Sequence, residues 1–258
     1  MTVADLEALK LHRRELVLDG RAFTVLTPRP SQPERFATNS FHETWHVLTD
    51  PAGAQLLARL MWAMAYQRKP RTVLLVDGPM LVTNPFDADP SSPILIVNSD
   101  LGGPTRAGLD ALEAMLPLRT RSEGAVKVRT DGLARSLVVG SPSRWERNVG
   151  RPAHQRRNWI DRVQNVLVFA AAAAELRNWA EDLPRTADYV REHPEASGLD
   201  AEFPNHSGEV QIFGDFTERV TRAQRVRREL YPGRDHAELL DVERRTIWAA
   251  LSPPPVAE

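Results

Sequence analysis

Thr72-Val73-Leu74-Leu75-Val76, Ile94-Leu95-Ile96-Val97 and Leu137-Val138-Val139 are short apolar runs, closed by Asp77-Gly78-Pro79, Asn98-Ser99-Asp100 and Gly140-Ser141-Pro142 respectively. Apolarity that is continuous rather than alternating is the pattern of strands buried on both faces, with helices packed over the sheet. Between the second and third runs, Thr105 to Met115 (TRAGLDALEAM) reads as a helix with Leu109, Leu112 and Leu116 on one side. Strand, helix, strand is the order of a βαβ unit. Ala125 to Arg129 (AVKVR), however, alternates, and Thr130-Asp131-Gly132 after it is a hairpin signal leading into the third run. The expected fold is therefore α/β, with a mixed sheet of about four to six strands covered by helices and followed by a helical C-terminal portion.

Working outward toward the N-terminus, a short helix candidate precedes two β runs. Glu15 to Asp19 and Ala22 to Thr27 read as a hairpin turning at Gly20-Arg21. Pro28 to Pro33 (PRPSQP) reads as a loop, because proline removes donors and restricts its predecessor. Asp50 is the expected N-cap of a helix with Pro51 at its first position and Leu56, Leu57, Leu60, Met61 and Met64 at helical spacing up to Tyr66.

Toward the C-terminus, Ala153 to Leu183 reads as one long helix buried along its middle, with Val166 to Ala174 (VLVFAAAAA) inside it. Glu181 to Glu218 carries ten acids against Arg185 and Arg191, with prolines at 184, 194 and 204, and reads as an irregular solvated connection. Two further helices are expected, Thr217 to Leu230 and Asp235 to Leu251, the latter opened by an Asp235/Glu238 capping pair. The division expected from this is 1–143 as the α/β portion and 144–258 as the helical portion packed on it, within one domain or two, with 252–258 a disordered tail. Trp62, Trp159, Trp179 and Trp248 are expected to be packing anchors.

Composition sets the outer bounds. At 258 residues, 42% hydrophobic and 26% charged, the chain can bury a core without staples. It has no cysteine, which excludes disulfides, thiolate zinc sites, iron–sulfur clusters and a cysteine nucleophile. A net charge of -1 argues against a generally nucleic-acid-coating protein. Lys10, Lys69 and Lys127 are the only lysines among 33 basic residues, a bias that points to a GC-rich bacterial genome and makes surface cation chemistry that of guanidinium. MTVADLEALKLHRREL lacks the apolar run of a secretory signal, and the longest apolar stretch is about half of the roughly 20 residues that cross a bilayer. A cytoplasmic location away from the membrane is the expectation.

Three groups of residues carry candidate chemistry. His42-Glu43-Thr44-Trp45-His46 fits H-E-x-x-H: on a helix, His42 and His46 would share a face and chelate zinc while Glu43 took a proton from metal-bound water. The competing reading is that Ser40 and Glu43 form a capping box at a short helix, since no downstream carboxylate stands at a ligand spacing. Asp77 and Asp100, at strand ends, could hold magnesium through oxygen ligands, with Arg106 beside a phosphate at the start of the following helix. These would equally serve as turn residues, and neither a Walker lysine nor G-x-G-x-x-G is present. Arg144, Arg147, Arg156 and Arg157, interleaved with Trp145 and Trp159, and Arg222 and Arg225 further on, form stripes that suit nucleic acid, a protein partner or the chain's own acidic connection.

The reading that follows is a binding or regulatory protein that requires no cofactor and acts through a protein partner or a second copy of itself. A zinc hydrolase, a nucleotide-binding protein and a nucleic-acid-associated protein are the alternatives.

Overall fold

The computed structural model describes residues 8–118, 122–138, 158–193, 198–202, 208–234, 239 and 241–251. The chain is α/β, with two mixed sheets. The larger sheet contains β1 (Ala8–Leu18), β2 (Arg21–Thr27), β5 (Thr72–Val76), β6 (Ile94–Asn98), β7 (Gly124–Arg129), β8 (Trp159–Val163) and β9 (Val166–Ala171) in the order β7-β1-β2-β5-β6-β9-β8. The smaller contains β3 (Phe36–Phe41), β4 (Thr44–Thr49), β10 (Leu199–Glu202) and β11 (Gly208–Ile212) in the order β10-β11-β4-β3. Helices α1 (Pro51–Ala65), α2 (Arg106–Glu113), α3 (Asp131–Val138), α4 (Ala173–Glu192), α5 (Phe216–Leu230) and α6 (Asp241–Leu251) complete the fold, so the C-terminal region is helix-rich. No helix among the described residues is long and apolar enough to cross a membrane.

The doubly apolar runs behave as their composition dictates. Leu74, Val76, Ile94, Ile96, Leu167 and Phe169 enter the main core, whereas Val73, Leu75, Leu95, Val97, Val166 and Val168 face a second core closed by Leu109 and Leu112 of α2. α1 starts where expected: the Asp50 carboxylate accepts from Gly53 N–H at 2.7 Å and Pro51 occupies the first turn. It lies in the main core with α4 and residues from both sheets, and its Leu56, Leu57, Leu60, Met61 and Met64 are all buried. Each such side chain contributes about 1.5–3 kcal/mol of burial.

Several expected elements differ from the structure. Residues from Ala8 onward form β1 rather than a helix, and the β1–β2 hairpin turns at Asp19-Gly20, both at positive φ, one residue earlier than the sequence suggests. Asp131-Gly132 opens α3 instead of turning a hairpin, so Leu137 is helical and not in a strand. Gly132 is required there for close approach, since a Cβ would meet the Trp62 ring at 3.0 Å. With Leu137 in a helix, the second and third runs make no βαβ unit; β5 and β6 run antiparallel, and the parallel pairs among the described residues are β2 with β5, β6 with β9 and β11 with β4.

Within the long helix expected over Ala153 to Leu183, residues 159–171 are instead the antiparallel pair β8–β9, followed by α4 from Ala173, while 153–157 lie outside the described residues. A run such as Val166 to Ala171 is too short and too uniformly apolar for periodicity to separate a central strand from a buried helix. α4 continues through Pro184 to Glu192, and β10 and β11 lie within the rest of the expected irregular connection, of which 194–197 and 203–207 are outside the described residues. Both sheets therefore draw strands from either side of residue 144. Trp62 and Trp179 are buried anchors, but Trp159 and Trp248 are exposed. The expected cap at Asp235 and Glu238 and the tail 252–258 lie outside the described residues.

Gly53 gives a test in which packing and propensity disagree. A Cβ there would fall 1.9 Å from Thr49 Oγ1, which donates a 2.7 Å hydrogen bond to the Arg35 carbonyl. Gly53→Ala should therefore destabilise the protein by about 1–3 kcal/mol in urea unfolding, although alanine favours a helix interior by about 1 kcal/mol.

Candidate functional site: a cleft between the small sheet and the last helix

Register determines which side chains share the outer face of the small sheet. Asn39 pairs with His46, and His46 with Glu209, so the three stand in one row across β3, β4 and β11; Leu48, Gln211 and Asp200 form the next row on the same face. The opposite face, with Phe36, Val47, Val210 and Ile212, belongs to the main core.

The proline-bounded loop 83–92 brings further groups to the outer face. Next to it, Val82 N–H donates to Phe36 O at 2.8 Å; within it, Ser91 Oγ accepts from Thr38 N–H at 3.0 Å, covering the edge of β3. Internally, Asn84 Oδ1 accepts from Phe86 N–H and Asp87 Oδ1 from Asp89 N–H, both at 2.9 Å, which shapes the turn that carries Ala88 at positive φ. Asp89 holds α6 against this loop through an ion pair with Arg244 at 2.6 Å. The result is a cleft of about 290 Å³ lined by Asn39, Phe41, His46, Phe86, Asp87, Gln211, Arg244, Arg245 and Trp248.

Its floor is polar and its walls are aromatic. His46, 3% exposed, places Nε2 against the Glu209 carboxylate, while its Nδ1 is buried without a hydrogen-bond partner. Burial pushes the imidazole below its ordinary value, opposed by the Asp200 carboxylate. Burial also pushes Asp87 up to about 6; the neighbouring Asp89 charge adds to this, and the Asp89 N–H, Arg244 and Arg227 oppose it. Phe41 and Trp248 meet edge to face at 5.6 Å between ring centroids, and Phe86 stands 6.5 Å from Trp248.

Of the expected sites, the H-E-x-x-H string is a β-hairpin. His42 and Glu43 form its two-residue turn, both at positive φ, and His46 lies within β4. Neither the helical zinc chelate nor the capping box at Ser40 and Glu43 is formed, because i, i+4 neighbours share a face through one helical turn and here the chain reverses instead. Among the described residues no group of three His, Asp or Glu side chains is placed to hold a metal.

Asp77 and Asp100 lie at opposite ends of the sheet, since β5 and β6 are antiparallel. Each has a structural partner: Asp77 Oδ2 accepts from Leu118 N–H at 3.0 Å, and Asp100 Oδ2 accepts from Ala173 N–H at the start of α4, also at 3.0 Å. Burial raises the Asp77 carboxyl above its ordinary value, with that Leu118 N–H and Arg14 opposing. Arg106 is exposed at the start of α2. Arg222 and Arg225 are exposed on α5, Arg225 reaching Glu229 at 4.0 Å, whereas Arg144, Arg147, Arg156 and Arg157 lie outside the described residues. Arg219 pairs with Asp215 at the end of the acidic segment.

Apart from His46, and Trp248, which the sequence places as a packing anchor, the cleft is composed of residues that sequence reasoning passes over. The available signal was Asp87-Ala88-Asp89 between Pro85 and Pro90, two acids in a loop too rigid to keep them in bulk water. Comparison with known proteins yields no match: no family model fits the chain, and neither a curated protein nor a solved structure is significantly similar to it.

The two titrating groups act in opposite senses on stability. Asp87, raised, favours folding below the ordinary carboxylate value and weighs against it increasingly as pH climbs to about 6. Asp87→Asn keeps the acceptor for Asp89 N–H, so it should match the parent near pH 4 and exceed it above pH 6. From a shift of roughly two units, the gain is at most about 3 kcal/mol. His46, lowered, leaves stability unaffected above about pH 6.5 and erodes it as pH falls below that. Denaturant unfolding from pH 4 to 8 measures both slopes, and His46→Gln should flatten the acid-side one.

Proposed function

We propose that this chain is a binding protein whose cleft accepts an acidic segment of a protein partner, with an aromatic or aliphatic side chain of that segment as the anchor. The observation that carries the reading is the exposure of aromatic surface beside a free cation. Phe41 and Trp248 are 47% and 43% exposed where they meet, and Arg245 at the cleft rim has no ion pair among the described residues. Large apolar side chains left in water as a group mark interaction sites, and Trp, Tyr and Arg dominate the binding energy of protein interfaces.

A macromolecule fits better than a small ligand because the apolar surface continues past the cleft. Val242, 56% exposed, stands one turn before Arg245 on α6. The cleft volume of about 290 Å³ suits one or two side chains. Arg245 with Arg244 selects for carboxylates, and buried His46 with half-buried Asn39 and Gln211 supplies polar partners at the base. The bacterial, cytoplasmic setting inferred from composition is part of the same reading.

The test uses two blocked tetrapeptides, Glu-Glu-Phe-Glu and Lys-Lys-Phe-Lys, titrated against tryptophan fluorescence and backbone amide resonances. The acidic peptide should bind at least 10-fold more tightly and shift residues of β3 and α6. Trp248→Ala and Arg245→Ala should each weaken it by about 10-fold, the cost of roughly 1.4 kcal/mol expected for an anchor. Equal binding of both peptides, or no binding at millimolar concentration, would refute the reading.

A further inference from the structure

A second cleft, of about 320 Å³, lies between α5, the turn that follows it and the start of the 83–92 loop. Its lining is cationic: Arg227, Arg228 and Arg234, with Thr83, Gln224 and Tyr231 between them. Arg227 is 5% exposed, so its guanidinium is held almost wholly away from water. Nη1 donates to Asp89 Oδ1 at 3.2 Å, but Nη2 is buried with no acceptor.

Two features make this arrangement unusual for a structural ion pair. First, Asp89 is shared: its other oxygen is 2.6 Å from Arg244, which also pairs with Asp241 at 2.8 Å, so Arg227 holds one carboxylate oxygen only. Second, a buried N–H on a charged group is costly when it lacks an acceptor, so an arginine that is merely structural would have its fork filled. The missing partner is an oxygen acceptor carrying negative charge. The remaining groups are set to share it: Arg228 uses Nε on the Gln224 carbonyl, Gln224 donates from Nε2 to Thr83 Oγ1 at 3.0 Å, and Arg234 lies over the Tyr231 ring at 5.9 Å while paired with Glu243.

We infer that the Arg227–Arg228–Arg234 cleft is a binding site for a phosphate group, either free or as the monoester of a small molecule. A tetrahedral dianion matches several planar forks converging from different directions, whereas a carboxylate satisfies one fork in its plane. The cleft is several times larger than one phosphate needs, which leaves room for an esterified organic group beside Tyr231. This site is separate from the aromatic cleft and does not depend on what occupies that one.

The experiment titrates the full chain with inorganic phosphate and with phenyl phosphate, reading thermal unfolding and 31P linewidth, with sodium chloride at matched ionic strength as the reference. A ligand that binds the folded state alone raises Tm by mass action, so phosphate at 10 mM should raise it where chloride does not. Arg228→Gln should weaken binding about 10-fold, and Arg222→Gln, exposed on the same helix outside this cleft, should leave it unchanged. Arg227→Gln should abolish it; because that variant also releases Asp89, the exposed Arg228 carries the test if it fails to fold. Tighter binding of phenyl phosphate than of phosphate assigns an ester as ligand, and the reverse assigns the free ion. A Tm rise equal to that in chloride, or equal weakening by Arg222→Gln and Arg228→Gln, overturns the site.

Discussion

Burial of α1 is the constraint from which the rest of the molecule follows. Its polar stripe is reduced to Gln55 and Arg59, whereas Gly53, Ala54, Leu56 to Ala58 and Leu60 to Ala65 are all removed from water, so the helix needs apolar partners around most of its circumference. Strands of both sheets, α4, and Leu133 of α3 share its core. Once it is enclosed, the inner face of the small sheet is committed to the core, and the outer face, with Asn39, His46, Glu209 and Gln211, is left to form the cleft. The site is thus a by-product of which face of a four-stranded sheet the hydrophobic effect consumes first.

The large-scale chemistry of this fold was readable from the chain. Asp50-Pro51, Thr105 and the doubly apolar runs 72–76 and 94–97 each encode a local rule, a cap or a two-sided strand, that the tertiary structure obeys. What resisted reading were segments whose local signals are compatible with two structures. Val166 to Ala171 is buried in either case, and only pairing with Ile94–Asn98 on one side and Trp159–Val163 on the other makes it a strand. His42-Glu43 carries no asparagine or glycine, the usual residues of a two-residue turn at positive φ, so the hairpin was hidden behind a helix-like motif. The candidate sites were harder still, because Glu209, Asp87 and Trp248 reach His46 through register, a loop and a helix far apart in sequence. No spacing rule encodes such a convergence.

One carboxylate ties the two clefts together. Asp89 accepts from Arg227 at the floor of the cationic cleft and pairs with Arg244 in the wall of the aromatic one. The short stretch from Asn84 to Pro90, held by its own backbone and Asx bonds, carries that carboxylate between them.

The parallel pairing of β11 with β4 joins residues 208–212 to 45–49. During synthesis on the ribosome, the β3–β4 hairpin therefore emerges long before the strand that protects its free edge, and waits with His46 facing no carboxylate from β11. Loop closure over such a separation is slow, and unpaired edges are the usual seeds of misassembly. The two left-handed residues at 42 and 43 gain a meaning in that interval: they fix the hairpin's register early, so that the late strand finds a template with a single alignment.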